Sequence, residues 1–110
     1  MTELIVWTKP SCVQCDAVKR RVVGRITGKT GLTGAQVKAA FLELVIAGVV
    51  TERDLTAPEN ARDLDYFRGL GYVSAPITEY GGSAVPGYMP TELDQILDRW
   101  LADHPAEVAP

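Results

Sequence analysis

The sequence is short of the groups that many binding chemistries need. It holds two cysteines and one histidine in 110 residues. A structural zinc site takes four ligands. Beyond Cys12 and Cys15 only His104 is an obvious further candidate, so no metal site is expected. Positive charge is scarce as well: 11 Lys and Arg against 14 Asp and Glu leave a net charge of −3. With no basic block beyond Lys19-Arg20-Arg21, which reads as a solvated helix face, a nucleic-acid partner is not expected. No apolar run is long enough to cross a bilayer, which argues against a membrane partner. The first residues run straight into Glu3-Leu4-Ile5-Val6-Trp7, without a charged lead or a small-residue cleavage site. A cytoplasmic setting is therefore expected, where thiols are kept reduced and static disulfides are uncommon.

What is present is the composition of an ordinary globular domain, 46% hydrophobic and 23% charged. One domain over residues 1–110 is expected, long enough to bury a single core. Leu4 to Trp7 is a continuous apolar run, as in a strand buried on both faces. Pro10 turns the chain into a loop, and Ser11 is placed to cap a helix from Cys12 to Ile26 with Val18, Val22 and Ile26 on one stripe. Thr27 to Gly31 breaks that helix. The run Gly24 to Gly31 has a superficial likeness to a phosphate-binding loop, but its glycine spacing is one residue short and it follows a helix, not a strand.

Thr33-Gly34-Ala35-Gln36 has capping-box spacing, and Val37, Ala40, Phe41, Leu44 and Val45 recur at helical intervals up to Gly48. Leu42 and Ile46 are apolar but fall outside that stripe. Val49 to Leu55 suits an edge strand. Thr56-Ala57-Pro58-Glu59 is a second capping-box pattern, opening a helix with Ala57, Ala61, Leu64 and Phe67 inward. Pro76–Tyr80 and Ser83–Tyr88 form a hairpin across Gly81-Gly82. Thr91 is placed to cap a last helix bearing Leu93, Ile96, Leu97, Trp100 and Leu101, followed by a polar, frayed tail from Asp103. The order β-α-(α)-β-α-β-β-α describes a small mixed α/β sandwich.

The spacing of Cys12 and Cys15 carries the chemistry. Residues three apart on a helix are neighbours, within disulfide range. At a helix start the first sulfur meets unpaired N–H groups and the positive end of the dipole. Both favour a thiolate, so Cys12 is expected to titrate below the ordinary thiol value of about 8.5. Cys12, exposed, would attack a target disulfide, and Cys15, one turn inside, would resolve the mixed disulfide. A structural disulfide closing so short a loop would restrict the unfolded chain little.

Val6-Trp7-Thr8-Lys9-Pro10-Ser11-Cys12-Val13-Gln14-Cys15, with Leu70-Gly71-Tyr72-Val73-Ser74-Ala75-Pro76 further on, resembles the glutaredoxin-like NrdH redoxins of the thioredoxin-fold superfamily. The likeness covers residues 3–26 and 49–101. It leaves 27–48 as a helical insert between the first helix and the second strand. The resemblance implies a thioredoxin/glutaredoxin-like fold with a four-stranded mixed sheet, and a redoxin that donates electrons to class Ib ribonucleotide reductase. Such proteins bind no cofactor and are recharged by thioredoxin reductase using NADPH. The resemblance also implies Cys12 as attacking and Cys15 as resolving thiol. It implies substrate contacts at Thr8, Lys9, Pro10, Val13, Gln14, Ala75, Pro76, Gly87 and Tyr88, with Ala75-Pro76 cis. Family members carry a Trp-Ser-Gly-Phe-Arg-Pro-like stretch before the last helix. Here Val85-Pro86-Gly87-Tyr88-Met89-Pro90 stands instead, so a network built on that Trp and Arg is not carried over. Two alternatives are a glutathione-dependent glutaredoxin and a non-enzymatic interaction module working through the insert. Glutaredoxins commonly have Pro-Tyr between the cysteines and Gly-Gly-x-Asp before the last helix, neither of which stands here. Oligomeric state has no sequence marker apart from the insert.

Overall fold

A computed structural model of the protein describes residues 3–105. Its elements run β1 (Ile5–Thr8), α1 (Val13–Thr27), α2 (Gly34–Ile46), β2 (Thr51–Asp54), a 3-10 turn (Pro58–Asn60), α3 (Ala61–Gly69), β3 (Ile77–Tyr80), β4 (Ser83–Pro86) and α4 (Pro90–Asp103). The expected element order holds. The sheet is mixed and four-stranded, in the order β2-β1-β3-β4. β1 pairs parallel with β2 and antiparallel with β3, and β3 pairs antiparallel with β4. The apolar run is thus a central strand, and the charged strand Thr51–Asp54 lies on an edge. Gly81 and Gly82 both have positive φ, 60° and 80°, as a tight two-residue hairpin turn requires.

Alternation along β1 divides the core. Val6 faces one side, packed with Val18, Val22, Ile26, Phe41, Leu93, Leu97 and Trp100 from α1, α2 and α4. Trp7 faces the other, with Phe67 of α3, Leu55, Ile77 and Cys15. The Trp7 and Phe67 rings meet edge to face, centroids 5.6 Å apart. Helices therefore cover both faces, which suits a strand apolar throughout.

Among the helix starts, α2 forms as its sequence predicts. Thr33 accepts from Gln36 N while the Gln36 side chain accepts from Thr33 N, a complete capping box. Three other caps differ from expectation. Ser11 does not cap α1: its φ of 52° puts it in the left-handed region, and Cys12 takes the extended cap position instead. Thr56 does not cap α3, because its hydroxyl donates to Asp54 Oδ1 at 2.6 Å and the helix opens through the 3-10 turn at Pro58. Thr91 does not cap α4; Pro90 takes the first helical position and Met89 the cap, without a side-chain bond. Proline at that position has no N–H to leave unpaired. Ala61, expected inward, is exposed.

α1 ends at Gly28, whose φ of 78° is left-handed, so the glycine-rich segment after it is a turn between two helices. Across the fold, α1 is tied to α4: Arg21 donates to both Asp94 carboxylate oxygens, and Arg25 pairs with Asp94 at 2.9 Å and with Asp98. The Arg21 guanidinium, with Arg25 beside it, holds the Asp94 carboxyl below the usual carboxylate range against the opposing effect of burial. The expected tail is only partly described. His104 is not frayed, since its ring stacks on Trp100 with centroids 4.7 Å apart and its Nδ1 is 2.9 Å from the Trp100 carbonyl. Residues 106–110 lie outside the described part. Among the described residues, no helix is long and apolar enough to cross a membrane.

Candidate functional site

The two cysteines sit where the central strand turns into α1, and they form a disulfide with Cα atoms 5.1 Å apart. Cys12 is the helix cap: its Sγ accepts the backbone N–H of Cys15 at 3.1 Å, and its carbonyl accepts from Asp16 N at 3.2 Å. One of the helix's unpaired N–H donors therefore points at sulfur. The two sulfurs differ in access. Cys12 is half-buried, whereas Cys15 is 2% exposed and packs with Trp7, Phe67 and Ala75. Val13, between them, is 84% exposed.

Both cysteines line a cavity of about 550 Å³. Thr8, Lys9 and Pro10 line it with them, so these expected contact residues are brought together with the dithiol. Ala75-Pro76 is cis, as the resemblance implies, and Ala75 belongs to the same buried cluster as Cys15 and Cys12. Pro76 also anchors Gly87, whose N–H donates to the Pro76 carbonyl at 2.7 Å. Gly87 adjoins Gln14: a Cβ there would stand 3.4 Å from Gln14 Oε1. Tyr88 is not brought to the dithiol cavity. It packs against the larger core and lines a second cavity of about 440 Å³ beside Arg20, Arg21, Arg25 and Lys29.

Sequence reasoning passed over the polar lining. Glu52 of β2 accepts from Thr8 Oγ1 and from Lys19 Nζ, each at 2.9 Å. Lys19 in turn lies 5.2 Å over the Phe41 ring. Asp54 completes that wall, its carboxyl held below the usual range by the Thr56 hydroxyl and then by backbone N–H groups. Lys19 was within reach of the sequence, one turn after Cys15 on α1. Glu52 was not, since its place follows from the β1–β2 register, Val6 beside Glu52. Lys38 and Val45 of α2 also line the cavity, and nothing in their local sequence signals it.

Chemically the site can form and break one S–S bond at an accessible sulfur with a second sulfur held behind it. Among the described residues no group of three or more His, Cys, Asp or Glu side chains is placed to hold a metal ion. No protein-family model, curated protein or solved structure matches the chain.

Proposed function

We propose that the protein is a thiol-disulfide oxidoreductase, an NrdH-type redoxin on a thioredoxin-like fold. The mixed sheet with helices on both faces is compatible with that fold. The observation that carries the reading is the asymmetry of the dithiol: Cys12 caps a helix at the surface, and Cys15 lies buried one turn in.

In the reduced protein the Cys12 thiolate attacks one sulfur of a target disulfide. A Cys12–target bond forms, the target S–S bond breaks, and the second target sulfur leaves as a thiolate that takes up a proton. Cys15, after losing its proton, attacks Cys12 Sγ, forming the Cys12–Cys15 disulfide and releasing the other target sulfur. Two electrons pass to the target, which leaves as a dithiol. The helix-start N–H at Cys12 favours its thiolate in both attack and departure. Thr8, Lys9 and Pro10 form the adjoining wall. Ala75 offers backbone partners to an extended target segment.

In this reading the target is the disulfide of class Ib ribonucleotide reductase, and the dithiol is restored in the cytoplasm by thioredoxin reductase at the expense of NADPH. The test is NADPH consumption with the protein and a disulfide substrate, once with thioredoxin reductase and once with glutathione and its reductase. Turnover with thioredoxin reductase alone is expected. Turnover with glutathione alone makes the protein a glutaredoxin, and no turnover with either, nor with the chemically reduced protein, overturns the redox reading.

A further inference from the structure

The helix α2 forms part of the dithiol cavity wall. Lys38 and Val45, two turns apart on it, both line the cavity that contains Cys12 and Cys15. Leu42 falls between them at helical spacing, so Lys38, Leu42, Val45 and Ile46 make one stripe at i, i+4, i+7 and i+8. Its inward neighbours Val37, Ala40 and Phe41 are buried in the core, which fixes the stripe's orientation. Leu42 is 55% and Ile46 77% exposed, so two large apolar side chains stand in water next to the two α2 residues that line the cavity. Lys38 makes no ion pair among the described residues.

We infer that this stripe is a substrate-selecting surface, which docks the segment flanking the disulfide of a protein target and prefers apolar side chains accompanied by a carboxylate. The occupant follows from continuity: a target sulfur at Cys12 brings its flanking residues into the cavity, whose α2 wall is Lys38 and Val45, and Leu42 and Ile46 adjoin those two on the helix. An apolar flank covers these two, and a carboxylate meets Lys38 at the cavity edge. A small disulfide that fills the cavity meets neither Leu42 nor Ile46, which do not line it. The insert in this way separates protein targets from small ones.

The inference rests on the redox reading, and the test keeps the two apart. Pre-reduced protein is mixed with three disulfides: a small aromatic disulfide, a cyclic disulfide peptide flanked by leucines and glutamates, and the same peptide flanked by glycine and serine. Wild type is expected to reduce the first peptide with a kcat/KM about tenfold above the second, the scale of one or two apolar contacts, with the gain in KM. Leu42→Glu and, independently, Ile46→Glu remove that preference and leave reduction of the small disulfide unchanged, because neither residue lines the dithiol cavity. With a fourth, lysine-flanked peptide added for this variant, Lys38→Glu turns the preference toward that peptide. Equal rates on the two peptides in wild type, or a preference that survives in both folded glutamate variants, overturn the inference alone. Failure to reduce any of the three overturns the redox reading and the inference with it.

Discussion

At its N-terminal end α1 meets a sulfur, and at its C-terminal end two of its arginines meet carboxylates of α4. The two ends handle charge in opposite ways. At the first, a helix N–H points at Cys12 Sγ, 3.1 Å away, an atom whose charge changes with redox state. At the second, Arg21 and Arg25 are matched by Asp94 and Asp98, none of which is a redox group. In the proposed redox reading, reactivity and stability are thereby placed on different turns of one helix. Substitution of the cysteines at the first end should change chemistry more than stability; substitution of the paired carboxylates at the second should do the reverse.

The largest expected effect lies at the first end. Cys12→Ser should reduce disulfide turnover to background while circular dichroism shows a folded protein, and Cys15→Ser should accumulate a mixed disulfide with the target, visible by mass. At the second end, Asp94→Asn should lower unfolding free energy by about 1 kcal/mol, the scale of a partly exposed ion pair with good geometry. Its pH dependence has a definite sign. Asp94 has a depressed pKa in the folded state, so its contribution is present above the ordinary carboxylate value of about 4 and is lost as pH falls through the depressed one. Denaturant midpoints of wild type and Asp94→Asn should therefore differ at neutral pH and converge in acid.

Two backbone substitutions sharpen the contrast. Gly28→Ala should cost about 1 kcal/mol, since φ is 78° there and no atom lies within 4 Å of an added Cβ; strain alone is tested. Ser11→Gly should do the opposite and raise stability by about 0.5 kcal/mol, because Ser11 is a non-glycine residue at positive φ, 52°. Chemical denaturation at fixed pH reads both.

These ends also differ in how far they could be read from sequence. The α2 capping box, the Gly81-Gly82 turn and the Val18, Val22, Ile26 stripe are set by neighbours within a few residues, and they appear as expected. Caps at Ser11, Thr56 and Thr91 do not, because a cap depends on the path of the chain into the helix. At Thr56 a competing acceptor, Asp54, takes the hydroxyl. The candidate site divides similarly. Thr8, Lys9, Pro10 and the cysteines are adjacent in the chain and meet in one cavity. Glu52, Lys38 and Val45 reach it through strand register and helix packing, which no local pattern records. Leu42 and Ile46 were visible as apolar residues off the α2 stripe, but that their neighbours Lys38 and Val45 line the dithiol cavity needed the fold.

In the redox reading Cys12 is the attacking sulfur, activated by its place at the helix start. Iodoacetamide labelling of the reduced protein across a pH series, with each cysteine followed by mass spectrometry, tests it most directly. Cys12 should be modified first and at a pH below the ordinary thiol value of about 8.5, while Cys15 stays protected until the protein unfolds. Earlier labelling of Cys15, or a Cys12 that titrates like a free thiol, would overturn the assignment of Cys12 as the attacking sulfur.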